Sequence, residues 1–196
     1  MRLYYVRHGL TDWNSAGRLQ GRHDVPLNAK GRAQAAQCGD ILRDLIACDQ
    51  LAPADCGYAS SPLVRARATM DILRATLGLC PGDYAVDSRL AEIAFGEWEG
   101  LSYGEVMQRD PDVVAKRESD KWNFRPPGGE TYQEVALRAA AWYATLQRPT
   151  IVAAHGGTAR ALIGWLKIAP PDEAVHFSID QGVVYVIEAN SLVRYG

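Results

Sequence analysis

Five short apolar runs alternate along this chain with segments of helical spacing, and that alternation limits the fold more than any other feature. The runs are residues 2–7, "CGYASS" (56–61), "DYAVDSRL" (83–90), "TIVAAH" (150–155) and "GVVYVIEA" (182–189). Each is of strand length, and the fourth is bounded by Pro149 and Gly156. Strands that take turns with helices predict an α/β fold, a three-layer α/β/α sandwich around a mainly parallel sheet.

The helices between the runs carry their own start signals. Asn28 is placed to cap a helix whose apolar positions include Ala33, Ala36, Ile41, Leu42 and Leu45. Ser61 followed by Pro62 reads as a cap and first helical residue, with the helix ending near Leu77 before Gly78. Thr131 and Glu134 form a capping box, and Val135, Ala139, Trp142 and Leu146 mark one face behind it. A further helix is expected from Thr158 to about Ile168. Residues 8–27 read as a long loop, a length that usually carries function. Residues 96–129 break into short, charged helical pieces and read as a lid-like segment of one domain spanning 1–196.

The chain has 196 residues, enough for one substantial core, and a net charge of -2. That balance gives no support to nucleic-acid binding, so any cationic site must be local. No apolar run is long enough for a bilayer and no secretory h-region opens the chain, so a cytoplasmic location is expected. The four cysteines, Cys38, Cys48, Cys56 and Cys80, lack metal-finger spacing and are expected as free thiols.

The chemistry gathers at strand ends. His8 and His155 each follow an apolar strand and precede glycine. In open α/β sheets ligands bind beyond the carboxyl ends of the strands, so the two histidines are expected to converge. Gly9, Gly156 and Gly157 allow close approach of a ligand, and the helix after His155 offers a positive N-terminus to an anion. Arg7 closes a buried strand, where an unpaired charge is costly. Arg65 lies in the first turn of a helix, where a cation is unfavourable. An anionic ligand answers both, and two arginines with two histidines describe a phosphate pocket.

The order of motifs then matters. "RHGLTDWN", "LQGRHDVPLNAKGRAQA", "SPLVRARAT", "RLAEIAFGEWEG" and "AAHGGTAR" together resemble the histidine phosphatase superfamily, also called phosphoglycerate mutase-like, over nearly the whole chain. The resemblance implies that His8 is the nucleophile that becomes phosphohistidine. It implies that Arg7, Arg65 and His155 hold the phosphoryl oxygens and that Glu92 is the general acid. Asn14, Gln20 and Gly21 match positions lining the phosphate site. It implies no metal and no cofactor, a small phosphorylated substrate, and a homodimer as one possible assembly.

Within that resemblance the sequence leans to the phosphatases. Mutases usually carry Glu where this chain has Leu10, Tyr where it has Phe95, and Asn where it has Gly157; basic residues stand where it has Ile93 and Ala94. "RPPGGET" (125–131) is similar to short bacterial phosphatases, including α-ribazole phosphatases. A phosphomonoesterase is therefore expected, with a cofactor-dependent phosphoglycerate mutase and a non-catalytic phospho-ligand binder as the alternatives.

Overall fold

The computed structural model describes residues 1–196. Its elements are β1 (Leu3–Arg7), α1 (Asp12–Ser15), α2 (Ala29–Cys48), β2 (Gly57–Ser60), α3 (Val64–Thr76), β3 (Ala85–Val86), α4 (Tyr103–Arg109), α5 (Pro111–Ser119), α6 (Tyr132–Tyr143), β4 (Thr150–Ala154), α7 (Gly156–Trp165), α8 (Pro171–Ala174), β5 (Val184–Glu188) and β6 (Ser191–Tyr195).

The strands form one sheet in the order β3-β2-β4-β1-β5-β6. β3, β2, β4 and β1 run parallel, while β5 and β6 are antiparallel additions. Side chains alternate across the sheet. Leu3, Tyr5, Val152, Ala154, Tyr185 and Ile187 pack with Ala139 and Trp142 of α6 and Leu162 and Ile163 of α7. Tyr4, Val6, Ile151, Ala153, Val184 and Val186 face the other way, onto Cys38, Leu42 and Ile46 of α2 and Met70 and Leu73 of α3. Burial on both faces explains why the central strands are continuously apolar. The result is the three-layer arrangement expected.

Several local expectations change. The buried line of α2 is Ala35, Cys38, Leu42 and Ile46; Ala33 is exposed and Ala36 only half-buried. The predicted face mixed positions that a 3.6-residue period separates. Asn28 does cap α2, its Oδ1 accepting from Gly31 N at 2.9 Å. α3 starts at Val64, so its N-cap position is Leu63 rather than Ser61, and Val64 N–H donates to Asp24 Oδ1 at 2.6 Å. The run at 83–90 yields only a two-residue, exposed edge strand followed by a 3₁₀ turn at Ser88–Leu90. α7 begins at Gly156 and ends at Trp165, and Leu146 lies past the end of α6. β6, an exposed edge, was not expected. Residues 8–27 contain α1 and two isolated bridges, Thr11 to Leu27 and Arg18 to Ser102. The 96–129 segment packs Trp98, Val106 and Val114 as a small core of its own.

The topology places a site. From β1 the chain crosses toward β2, past the position β4 later fills; from β4 it leaves the opposite way, to β5. Adjacent strands whose connections depart in opposite directions open a crevice at their carboxyl ends. Register sets its floor. Arg7 pairs with Ala154 and Ser60 with Ala153, so His8 and His155 stand at one level and Ser61 one residue below it, beside Ala154.

Candidate active site

Beyond those strand ends lies a cavity of about 160 Å³ lined by Arg7, His8, Asn14, Arg18, Leu19, Gln20, Gly21, Arg65, Glu92, Phe95, Gly156 and Arg160. Four arginines and one carboxylate give it a strong positive balance inside a chain of net charge -2. Eight of the nine site residues named from the sequence line it. The ninth, His155, is fully enclosed just behind, its ring 5.1 Å from that of His8.

His8 is buried and its orientation is fixed. Nδ1 lies 2.8 Å from the Gly9 carbonyl oxygen, which can only accept, so Nδ1 carries the proton. Nε2 then keeps its lone pair, and Arg65 Nε donates to it at 3.3 Å. Burial, reinforced by the guanidinium charges of Arg65 and Arg7, holds the imidazole well below its ordinary value of 6.5 and hence uncharged. His155 is shifted the same way, by burial first and then by Arg65 and His8. Its Nε2 is 2.6 Å from Ser61 Oγ. Leu63 N–H donates to that same oxygen at 3.3 Å, and Nε2 is the one acceptor in reach of the hydroxyl proton; with Nε2 accepting, Nδ1 is the protonated nitrogen. His155 Nδ1 and Arg7 Nε are buried without a partner.

The arginines are held by carbonyls. Arg65 donates from Nη1 to His23 O at 2.6 Å and from Nη2 to Gly21 O at 2.8 Å. Arg7 Nη1 donates to Ile179 O at 2.8 Å. None of these bonds neutralises the charge, which stays available to an anion. Gly21 has φ +49, and a Cβ there would overlap the Glu99 carboxylate that accepts from Arg22 N at 3.1 Å. Only glycine meets both conditions. His23 contributes its carbonyl, while its ring leans on Trp13 outside the cavity.

Asn14 sits at the third position of α1. Its Oδ1 accepts from Thr11 N at 3.3 Å and from Gln181 Nε2 at 3.1 Å, which fixes the side chain at the cavity wall. Gln20 Oε1 accepts from Thr11 Oγ1 at 3.0 Å.

Glu92 brings a correction. The N-terminus of α7, expected to receive a ligand anion, is taken by this side chain. Its Oε2 accepts from Gly157 N and its Oε1 from Thr158 N, both at 3.2 Å, and Oε1 also accepts from Ile93 N at 2.9 Å. A carboxylate on a helix N-terminus is favourable. A side chain at 157 would run into the Glu92 carboxylate, which accounts for glycine there.

Sequence reasoning missed Arg18 and Arg160. Arg160 stands one helical turn after Gly156 on α7, a spacing that was open to reading. Its Nε donates to Phe177 O at 2.8 Å. Arg18 is placed by long-range bonds to Gly100 O at 2.6 Å and Glu105 at 3.2 Å, for which no local signal exists. No group of three or more His, Cys, Asp or Glu side chains converges as a metal set. No helix is long and apolar enough to cross a membrane.

The sheet between its two helical layers carries two histidines and an arginine cluster at its switch point, and residues 3–192 match one family: the chain belongs to the histidine phosphatase superfamily, branch 1. Among its relatives, a protein of Gloeobacter violaceus named 2,3-bisphosphoglycerate-dependent phosphoglycerate mutase 2 is 31% identical, across 95% of this chain and 84% of the other. A glucosyl-3-phosphoglycerate phosphatase of Mycobacterium tuberculosis is 33% identical, across 86% and 76%. Among solved structures, an α-ribazole phosphatase from Shigella flexneri superposes with a TM-score of 0.80 at 27% identity, covering 98% of this chain and 93% of that one.

Proposed function

We propose that this chain is a phosphomonoesterase that hydrolyses a small phosphorylated metabolite through a phosphohistidine on His8. The observation that carries the reading is the state of His8: Nδ1–H tied to Gly9 O, and Nε2 unprotonated in a cavity of arginines. A neutral imidazole with one nitrogen held as donor presents the other as nucleophile.

Nε2 attacks phosphorus, and the bond from phosphorus to the leaving oxygen breaks. Glu92 enters the step protonated, gives that oxygen its proton and is left as a carboxylate. Water then attacks the phosphohistidine, loses a proton to Glu92, and the P–N bond breaks to free phosphate and restore His8. Arg7, Arg65 and the Nδ1–H of His155 take the charge on the phosphoryl oxygens, with Asn14, Gln20 and the Gly21 and Gly156 backbone shaping the seat. Phosphoryl transfer depends mainly on such positioning and charge stabilisation. Arg65 releases its hold on Nε2 as the phosphoryl group arrives. The charge is met by guanidinium groups, so the scheme asks for no metal ion.

The named phosphatases among its relatives support this reading. A second reading, a cofactor-dependent mutase, rests on the Gloeobacter relative. Incubation with p-nitrophenyl phosphate and with 2- and 3-phosphoglycerate separates them. Release of phosphate without interconversion of the phosphoglycerates is expected; interconversion primed by a bisphosphoglycerate favours the mutase, and turnover of neither class overturns both.

A further inference from the structure

Glu92 does not hold its place alone. Arg138, on the second turn of α6, reaches beneath the segment that carries it. Nη1 donates to Arg89 O and Ala91 O, each at 2.7 Å, and Nη2 to Glu92 O at 3.2 Å. The other edge of the guanidinium grips Glu130, with Nε to Oε1 and Nη2 to Oε2, both at 3.1 Å. Glu130 Oε2 also accepts from Ala94 N at 2.9 Å and from Arg22 Nη2 at 3.0 Å. Both partners are mostly buried, with side chains 17% and 22% exposed. Arg22 adjoins Gly21, whose carbonyl holds Arg65.

We propose that Arg138 and Glu130 are positioning residues for the general acid, fixing the 89–94 backbone so that the Glu92 carboxyl stays on α7 and within the His8 cavity. The inference rests on the phosphomonoesterase reading. One planar fork satisfies three carbonyls and one carboxylate, which an ammonium cannot do in the same geometry. Four of these bonds converge on a segment with no helix or strand bonds of its own past Leu90 until Gly96. The same carboxylate ties that segment to the loop under Arg65, so the acid and the phosphoryl clamp share one frame.

The role makes a distinctive demand on leaving groups. p-Nitrophenolate departs without a proton, whereas an alkoxide needs one at the moment of bond cleavage. The parameter kcat/KM, which reports only as far as loss of the leaving group, is to be measured for p-nitrophenyl phosphate and for glycerol 2-phosphate in the wild type, Arg138→Lys and Glu130→Gln. A loss of roughly tenfold to a hundredfold on glycerol 2-phosphate is expected, against less than about threefold on p-nitrophenyl phosphate. Equal losses on the two substrates, or no loss on either, overturn the positioning role. Thermal melts accompany each variant, and Glu130→Gln decides the matter if Arg138→Lys does not fold. A wild type inert toward both esters would instead remove the phosphatase reading itself.

Discussion

Two buried, uncharged histidines side by side give the folding stability a specific pH dependence. In the unfolded chain His8 and His155 each take up a proton as pH falls through about 6.5. In the folded protein neither does, because burial and the neighbouring arginines hold both well below that value. Acidification therefore stabilises only the unfolded state. Stability from this source is unchanged above about pH 6.5 and falls below it, down to the folded-state values. Each histidine costs about 1.4 kcal/mol per pH unit once its unfolded form is fully protonated. Between about pH 7.5 and pH 5.5 the pair together removes up to about 3 kcal/mol. For a chain of this size that lowers Tm by up to roughly 6–12 °C. Thermal melts across this range are to be compared for the wild type, His8→Gln, His155→Gln and the double variant. Each single variant is expected to lose about half of the drop, the double nearly all of it. A double variant as acid-sensitive as the wild type refutes the reasoning, since the two imidazoles would then be charged in the folded protein.

Gly157→Ala forces the Glu92 carboxyl off α7 and meets Ile93 Cγ2 at 2.6 Å; kcat/KM on alkyl phosphates should fall by about tenfold to a hundredfold, while phosphohistidine formation from p-nitrophenyl phosphate persists. Thr131→Ala removes a capping box in which Thr131 Oγ1 accepts from Glu134 N at 3.1 Å. It should cost about 1 kcal/mol, a drop in Tm of roughly 2–4 °C, with kcat unchanged.

What the sequence revealed and what it hid follow from range. His8, His155, Arg7 and Arg65 were legible because each stands where a strand ends or a helix begins, and parallel register levels those ends. The capping box at Thr131 was legible for the same reason, being complete within four residues. Ser61 was misread as a helix cap because its partner, His155, is 94 residues away. Arg18 entered the cavity through bonds to Gly100 and Glu105, and the Arg138–Glu130 pair acquires its meaning only once α6 lies against residues 89–94. The third strand is only Ala85–Val86, an exposed edge paired with Ala59 and Ser60 of β2. The anion expected at α7 proved to be the protein's own Glu92, since a helix N-terminus announces a negative partner without saying whose it is.

In the proposed mechanism His8 Nε2 carries the phosphoryl group. Rapid quenching at alkaline pH during turnover of a phosphate monoester, followed by ³¹P NMR and peptide mapping, tests it directly. The expected result is an acid-labile, alkali-stable phosphoramidate on the peptide containing His8, bonded through Nε2 and absent from His8→Ala. Turnover at the wild-type rate by His8→Ala, or a phosphoryl group on any other residue, would contradict it.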